Sequence, residues 1–146
     1  MSDPLEDWLA TALRGDDSPA TEAGLRTVES QIGCRLPDAI RFTLTRAYRP
    51  EGFVGESYIA FFTIDDMLRC WRDAQIGAHG FVPFASNGGG EWYGLDSRLD
   101  ASAFLLMPSI GMDWGTAMFL GATWDEFWET LQRGNLLDHG YQPAQK

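Results

Sequence analysis

Gly80-Phe81-Val82-Pro83-Phe84-Ala85-Ser86-Asn87-Gly88-Gly89-Gly90-Glu91-Trp92-Tyr93-Gly94-Leu95-Asp96 is the stretch that decides how this chain folds. A short apolar run breaks into Ser86-Asn87 and three consecutive glycines, then resumes with an acidic and two aromatic residues. The pattern predicts strand, glycine turn, strand. Glycine is expensive to order but accepts positive φ and close backbone approach, so three in a row mark a tight bend or a surface onto which something packs. The turn lacks the Gly-Lys-Ser/Thr ending of a phosphate loop and the spacing of a dinucleotide fingerprint, and Glu91 would repel a phosphate directly after it. A structural hairpin bend is therefore expected.

Working outward, Asp3-Pro4 opens a helix with Leu5, Trp8, Leu9 and Leu13 as its apolar stripe. Thr21 caps a second helix with Leu25, Val28 and Ile32 on one face and Gly33 as its stop. Leu36-Pro37-Asp38 starts a third, running to about Tyr48. Arg49 to Gly52 reads as a turn and Glu56 to Phe62 as a strand. Thr63-Ile64-Asp65-Asp66 caps a helix through Met67, Leu68, Cys70 and Trp71. After the glycine hairpin, Ala103 to Met107 and Thr116 to Leu120 read as strands. Thr123-Trp124-Asp125-Glu126 begins a helix through Phe127, Trp128 and Leu131 that Gly134 stops, and the tail from Leu136 is expected to be loosely held. Strands that follow one another without crossover helices pair as an antiparallel meander. The expected class is α+β: N-terminal helices, a mostly antiparallel sheet of about five strands, and a C-terminal helix packed on it.

The chain has 146 residues, which suits a single domain spanning residues 1–146. Its formal net charge of -10, with 11 Lys and Arg against 21 Asp and Glu, disfavours nucleic acid and anionic membrane surfaces as partners. A negative field favours solubility and steers basic partners. The start, with Asp3, Glu6 and Asp7, has no basic and apolar leader pattern, and no apolar run approaches the ~20 residues of a membrane span, so a cytoplasmic protein is expected.

Catalytic and metal chemistry find little support in the sequence. Cys34 and Cys70 form no disulfide framework and read as free buried thiols. His79 and His139 belong to no spaced ligand motif, so neither a metal nor a cofactor is expected. No Gly-x-Ser-x-Gly elbow occurs, and carboxylate pairs such as Glu91 and Asp96 arise easily in so acidic a chain. Most of the six Trp, nine Phe and four Tyr are expected in the core, with Trp8, Trp71, Trp124, Phe127 and Trp128 on helical stripes or at helix starts. Trp92, Tyr93 and Trp114 are different. Trp92 and Tyr93 are strand neighbours, so one points inward and the other outward. Aromatics among acidic residues suit a protein–protein surface.

Glu29, Ile32-Gly33, Leu36-Pro37 and Phe42, the glycine hairpin ending in Asp96, and Ala122-Thr123-Trp124-Asp125-Glu126-Phe127 together resemble the SUKH (Smi/Knr-like) superfamily. The likeness covers about residues 25 to 132, leaving 1–20 and 136–146 peripheral. It departs at Arg49-Pro50-Glu51-Gly52, where the family usually has an Asn-Gly turn, and at Gly90-Glu91, where Gly-Asp is frequent. The superfamily includes a yeast regulator of cell-wall synthesis and bacterial immunity proteins that neutralise toxins, many of them nucleases with basic active-site surfaces. The resemblance thus implies binding rather than catalysis: an immunity protein for a basic toxin domain, with a regulatory scaffold or an undetected hydrolase as alternatives. Glu91, Trp92, Tyr93, Asp96, Asp113 and Trp114 are the residues expected to lie nearest the partner.

Overall fold

Helix starts are set by side chains that accept otherwise orphaned amides. In the computed structural model, which describes residues 3–98 and 103–134, Asp3 accepts from Leu5, Thr21 from Gly24, Thr63 from Asp66 and Thr123 from Glu126. These caps open α1 (Pro4–Thr11), α2 (Glu22–Ile32), α4 (Ile64–Gly77) and α5 (Trp124–Arg133). Between α2 and α4 lie α3 (Asp38–Arg46), β1 (Glu51–Val54) and β2 (Ser57–Phe61). After α4 come β3 (Phe81–Ser86), β4 (Glu91–Asp96), β5 (Phe104–Pro108), a 3-10 turn at Trp114–Thr116, and β6 (Met118–Gly121). Gly33 and Gly134 end α2 and α5 with φ of 86° and 77°, the left-handed stop that glycine adopts without strain.

The six strands form one antiparallel sheet in the order β1-β2-β3-β4-β5-β6, so the expected meander and α+β class are present with one more strand than anticipated. The extra strand is β1. Pro50-Glu51-Gly52 carries turn residues, yet Glu51 to Val54 pair with Ser57 to Ala60 in a hairpin. The strand expected at 116–120 is split: Asp113 Oδ1 accepts from Gly115 and holds the 3-10 turn, and pairing begins only at Met118. α1 stops at Thr11, and Leu13 leaves the helical stripe, 69 % exposed, to exchange backbone hydrogen bonds with Glu51 on the open edge of β1. The third helix ends at Arg46 rather than Tyr48. The tail from Leu136 lies outside the described residues.

The Glu29 carboxylate explains the α2–α3 corner. It accepts from the Leu36 amide at 2.7 Å and from Arg41 at 2.5 Å, tying the end of one helix to the next. The larger core fills one face of the sheet, the inner face. There Phe84, Tyr93 and Phe104 surround Phe127 of α5, while Trp8 of α1 packs on Phe61 and Trp128. A second cluster covers the outer face toward β5: Ala74 and Ala78 of α4 lie with Phe81, Leu105, Met107 and Ala117. This cover does not extend to β1 and β2, and that asymmetry positions the candidate site.

Candidate functional site

The glycine turn satisfies itself. Asn87 Oδ1 accepts from the Gly89 and Glu91 amides, Ser86 Oγ accepts from Gly88, and the Gly90 carbonyl accepts from Ser109. Gly88 and Gly90 hold φ of 78° and 90°. The Gly88, Gly89 and Glu91 amides, which a phosphate cradle would aim at an anion, are already engaged inside the turn. The bend is a hairpin connection, as the sequence suggests.

The six residues expected at the partner surface do not form one patch. Alternation along β4 puts Trp92 on the outer face and Tyr93 on the inner one. Trp92 is half-buried, its ring edge-on to Phe62 at 5.9 Å. Tyr93 is fully buried; its ring packs on Phe127 and its hydroxyl donates to the Tyr58 carbonyl at 2.9 Å. Asp96 is also buried, and its carboxylate takes the Arg98 amide, Nε and Nη2 at 2.9, 2.9 and 3.0 Å. Both residues are therefore removed from the partner-facing set: neither has surface with which to touch another molecule. They brace the strand instead. Glu91 Oε1 accepts from Asn87 Nδ2 at 2.9 Å and closes the glycine turn.

Asp113 and Trp114 lie with the far end of β4. Trp114 donates to the His79 carbonyl, meets the Phe81 ring edge-on, and sits under the Arg98 guanidinium at 3.5 Å. Trp92 and Asp96 are four residues apart on an extended strand, which separates the two groups by about 13 Å. The same geometry bears on acid–base chemistry: Glu91 and Asp96 stand about 16 Å apart, too far to act on one reacting bond. Burial and the nearby Glu29 carboxylate push the Cys34 thiol up, and burial pushes Cys70 up to about 11. That is the wrong direction for an activated nucleophile. Among the described residues no three His, Cys, Asp or Glu side chains are grouped to hold a metal.

The same shifts set an alkaline limit on stability. An unfolded chain loses the Cys70 proton near the ordinary value of 9.0, whereas the folded chain keeps it to about 11. Burial and the Glu91 charge also raise the Tyr93 hydroxyl. Above pH 9 the unfolded state binds fewer protons than the native one, so stability falls as pH rises. The urea midpoint is expected to hold level up to about pH 8.5 and then decline through about pH 11, less steeply in Cys70→Ala. A midpoint that stays flat across that window would contradict this.

What the sequence reading missed is the open half of the outer face. Directly paired residues share a face, so the register aligns Glu51, Ala60, Ser86 and Trp92 in one row across β1 to β4. Phe53 and Tyr58 form the adjacent row, rings edge-on at 5.1 Å. Phe53 is 67 % exposed, and Glu51, Tyr58, Phe62 and Trp92 are each partly exposed. The Tyr58 hydroxyl donates to Glu51 Oε1 at 2.5 Å. Two grooves border this face. One of about 390 Å³ includes Phe62, Thr63, Asp65 and Arg49 in its wall; one of about 500 Å³ runs past Glu51, Asp16 and Arg14. Reading Arg49 to Gly52 as a turn hid Glu51 and with it the strand that carries Phe53, whereas Tyr58 and Phe62 fall in the expected strand 56–62 and Trp92 in the expected site.

No helix among the described residues is long and apolar enough to cross a membrane. A search among curated proteins returns no match. The model of the SMI1 / KNR4 family (SUKH-1) matches residues 19–130, which takes in the Glu29 corner, the glycine hairpin, the open face and most of α5, and leaves α1 as an element packed on the core from outside the matched region. The chain therefore belongs to the SMI1 / KNR4 family (SUKH-1).

Proposed function

We propose that this chain is a non-catalytic immunity protein, acting in the cytoplasm, that neutralises a toxin domain by binding it directly. Membership of a family that covers toxin-immunity proteins and regulators supports a binding role. The observation that carries the finer reading is the pairing of a charge of -10 with the partly exposed Trp92 and Trp114. Aromatic anchors supply most of the energy of a typical interface, and acidic surroundings speed encounter with a basic partner. Trp92 beside the glycine turn, and Trp114 beside Asp113, are the two contact points in this reading.

Co-expression tests it. A toxin domain encoded by a gene adjacent to that of this chain is expressed alone and together with it. Restored growth and co-purification are expected. A neighbouring domain that remains toxic in the presence of soluble, folded chain would overturn the reading for that pair.

A further inference from the structure

We infer that the open half of the outer sheet face, formed by Glu51, Phe53, Tyr58, Phe62 and Trp92, is a docking surface for an arginine- or lysine-bearing segment of a partner protein. The inference deepens the immunity reading by naming the surface and the chemistry of what it takes, and it rests on that reading only for the partner's biological role.

Three features carry it. The face is aromatic where an ordinary solvated sheet face would be polar, and its most prominent side chain, Phe53, is 67 % exposed. The cover that α4 provides over Leu105 and Met107 is missing over β1 and β2, so the row from the buried Met107 emerges at Trp92 and runs through Ser86 and Ala60 to Glu51, with Phe53 and Tyr58 exposed beside it. The charge at the face is Glu51, held beside the rings by the Tyr58 hydroxyl. In the bordering grooves the carboxylates Asp16, Asp17 and Asp65 outnumber Arg14 and Arg49, and the Arg14 guanidinium is turned to the Leu9 carbonyl.

The choice of occupant follows from that chemistry. A guanidinium or ammonium stacks on aromatic faces and pairs with a carboxylate at their rim, and its aliphatic stem covers apolar surface. A second copy of this chain would bring Glu51 and its acidic surroundings against themselves, because a two-fold contact is self-complementary. A polyanion would meet the same charge.

The test uses the full chain, isotopically labelled, titrated with a synthetic peptide of about ten residues alternating arginine and glycine, and with its glutamate counterpart. The arginine peptide is expected to shift the amides of residues 51–62 and the Trp92 indole, and the glutamate peptide to leave them unmoved. Phe53→Ala combined with Glu51→Gln alters two partly or largely exposed positions, and an unchanged remaining spectrum confirms that the variant folds. It is expected to weaken the arginine-peptide affinity by about fivefold or more. Shifts confined to the acidic surfaces of α4 or α5, an unchanged affinity in the double variant, or no shift at about 1 mM peptide would each overturn the inference. So would concentration-dependent shifts of this face without peptide, which would assign it to a second copy. The two readings fail separately. Rescue of growth that survives the double variant removes this surface but not the immunity function; absence of rescue by the unaltered chain removes the function, while the peptide map still judges the surface.

Discussion

Replacing Phe127 by alanine is expected to remove about 3–5 kcal/mol of stability, a large part of what a domain of this size has. Phe127 is fully buried at the point where α5 meets the sheet. Its ring stacks on Phe104 at 5.2 Å and meets Phe84, Tyr93 and Trp124 at 5.8, 5.6 and 5.2 Å. Four aromatic rings border the position, and rigid rings relax into a void less readily than aliphatic side chains, so the cavity term is expected to stay large. Thermal unfolding should fall by roughly 10 °C or more, and Phe127→Leu, which restores most of the volume, should lose less than half as much. A loss below about 1 kcal/mol in Phe127→Ala would mean that the inner face is not the core. The same contacts hold Tyr93, and through its hydroxyl bond the backbone at Tyr58, so the variant should also loosen the open outer face on the other side of the sheet.

Much of this arrangement is legible locally. Thr21, Thr63 and Thr123 mark helix starts because an N-cap is a contact within three residues, and Gly33 and Gly134 mark ends for the same reason. The glycine hairpin is legible because Asn87 and the residues it bonds lie within one turn. Where the outcome depends on distant residues, local reading fails. Pro50-Glu51-Gly52 carries turn chemistry, but pairing with β2 and the bridge to Leu13 draw it into the sheet as β1. Leu13 continues the apolar stripe of α1 in sequence, yet that bridge takes it off the helix. Alternation states that Trp92 and Tyr93 face opposite ways; only the position of α5 decides which one is buried. Asp96 resembles a surface carboxylate until the turn brings Arg98 back over it, and Trp114 acquires its place from the His79 carbonyl, 35 residues earlier.

Gly94→Ala is expected to destabilise the protein by about 3 kcal/mol, although removing a glycine from a strand usually helps by about 0.5–1 kcal/mol. Gly94 is buried in the middle of β4, and a methyl group there would lie 2.5 and 2.6 Å from two carbons of the Phe81 ring and 2.7 Å from the Val82 carbonyl oxygen. Phe81 is itself fully buried, so its ring cannot swing aside without disturbing Leu105 and the alanines of α4. Steric crowding therefore decides the sign. Glycine at this position leaves room for the Phe81 ring, which meets Trp114 edge-on within the cluster under α4. If the ring is the obstacle, Phe81→Leu should be partly compensating in the Gly94→Ala background, with a coupling of more than about 1 kcal/mol between the two substitutions. Urea unfolding of the four proteins in that cycle measures it. A Gly94→Ala variant within about 0.5 kcal/mol of the parent, or strictly additive losses, would show that the outer face has room that this packing denies.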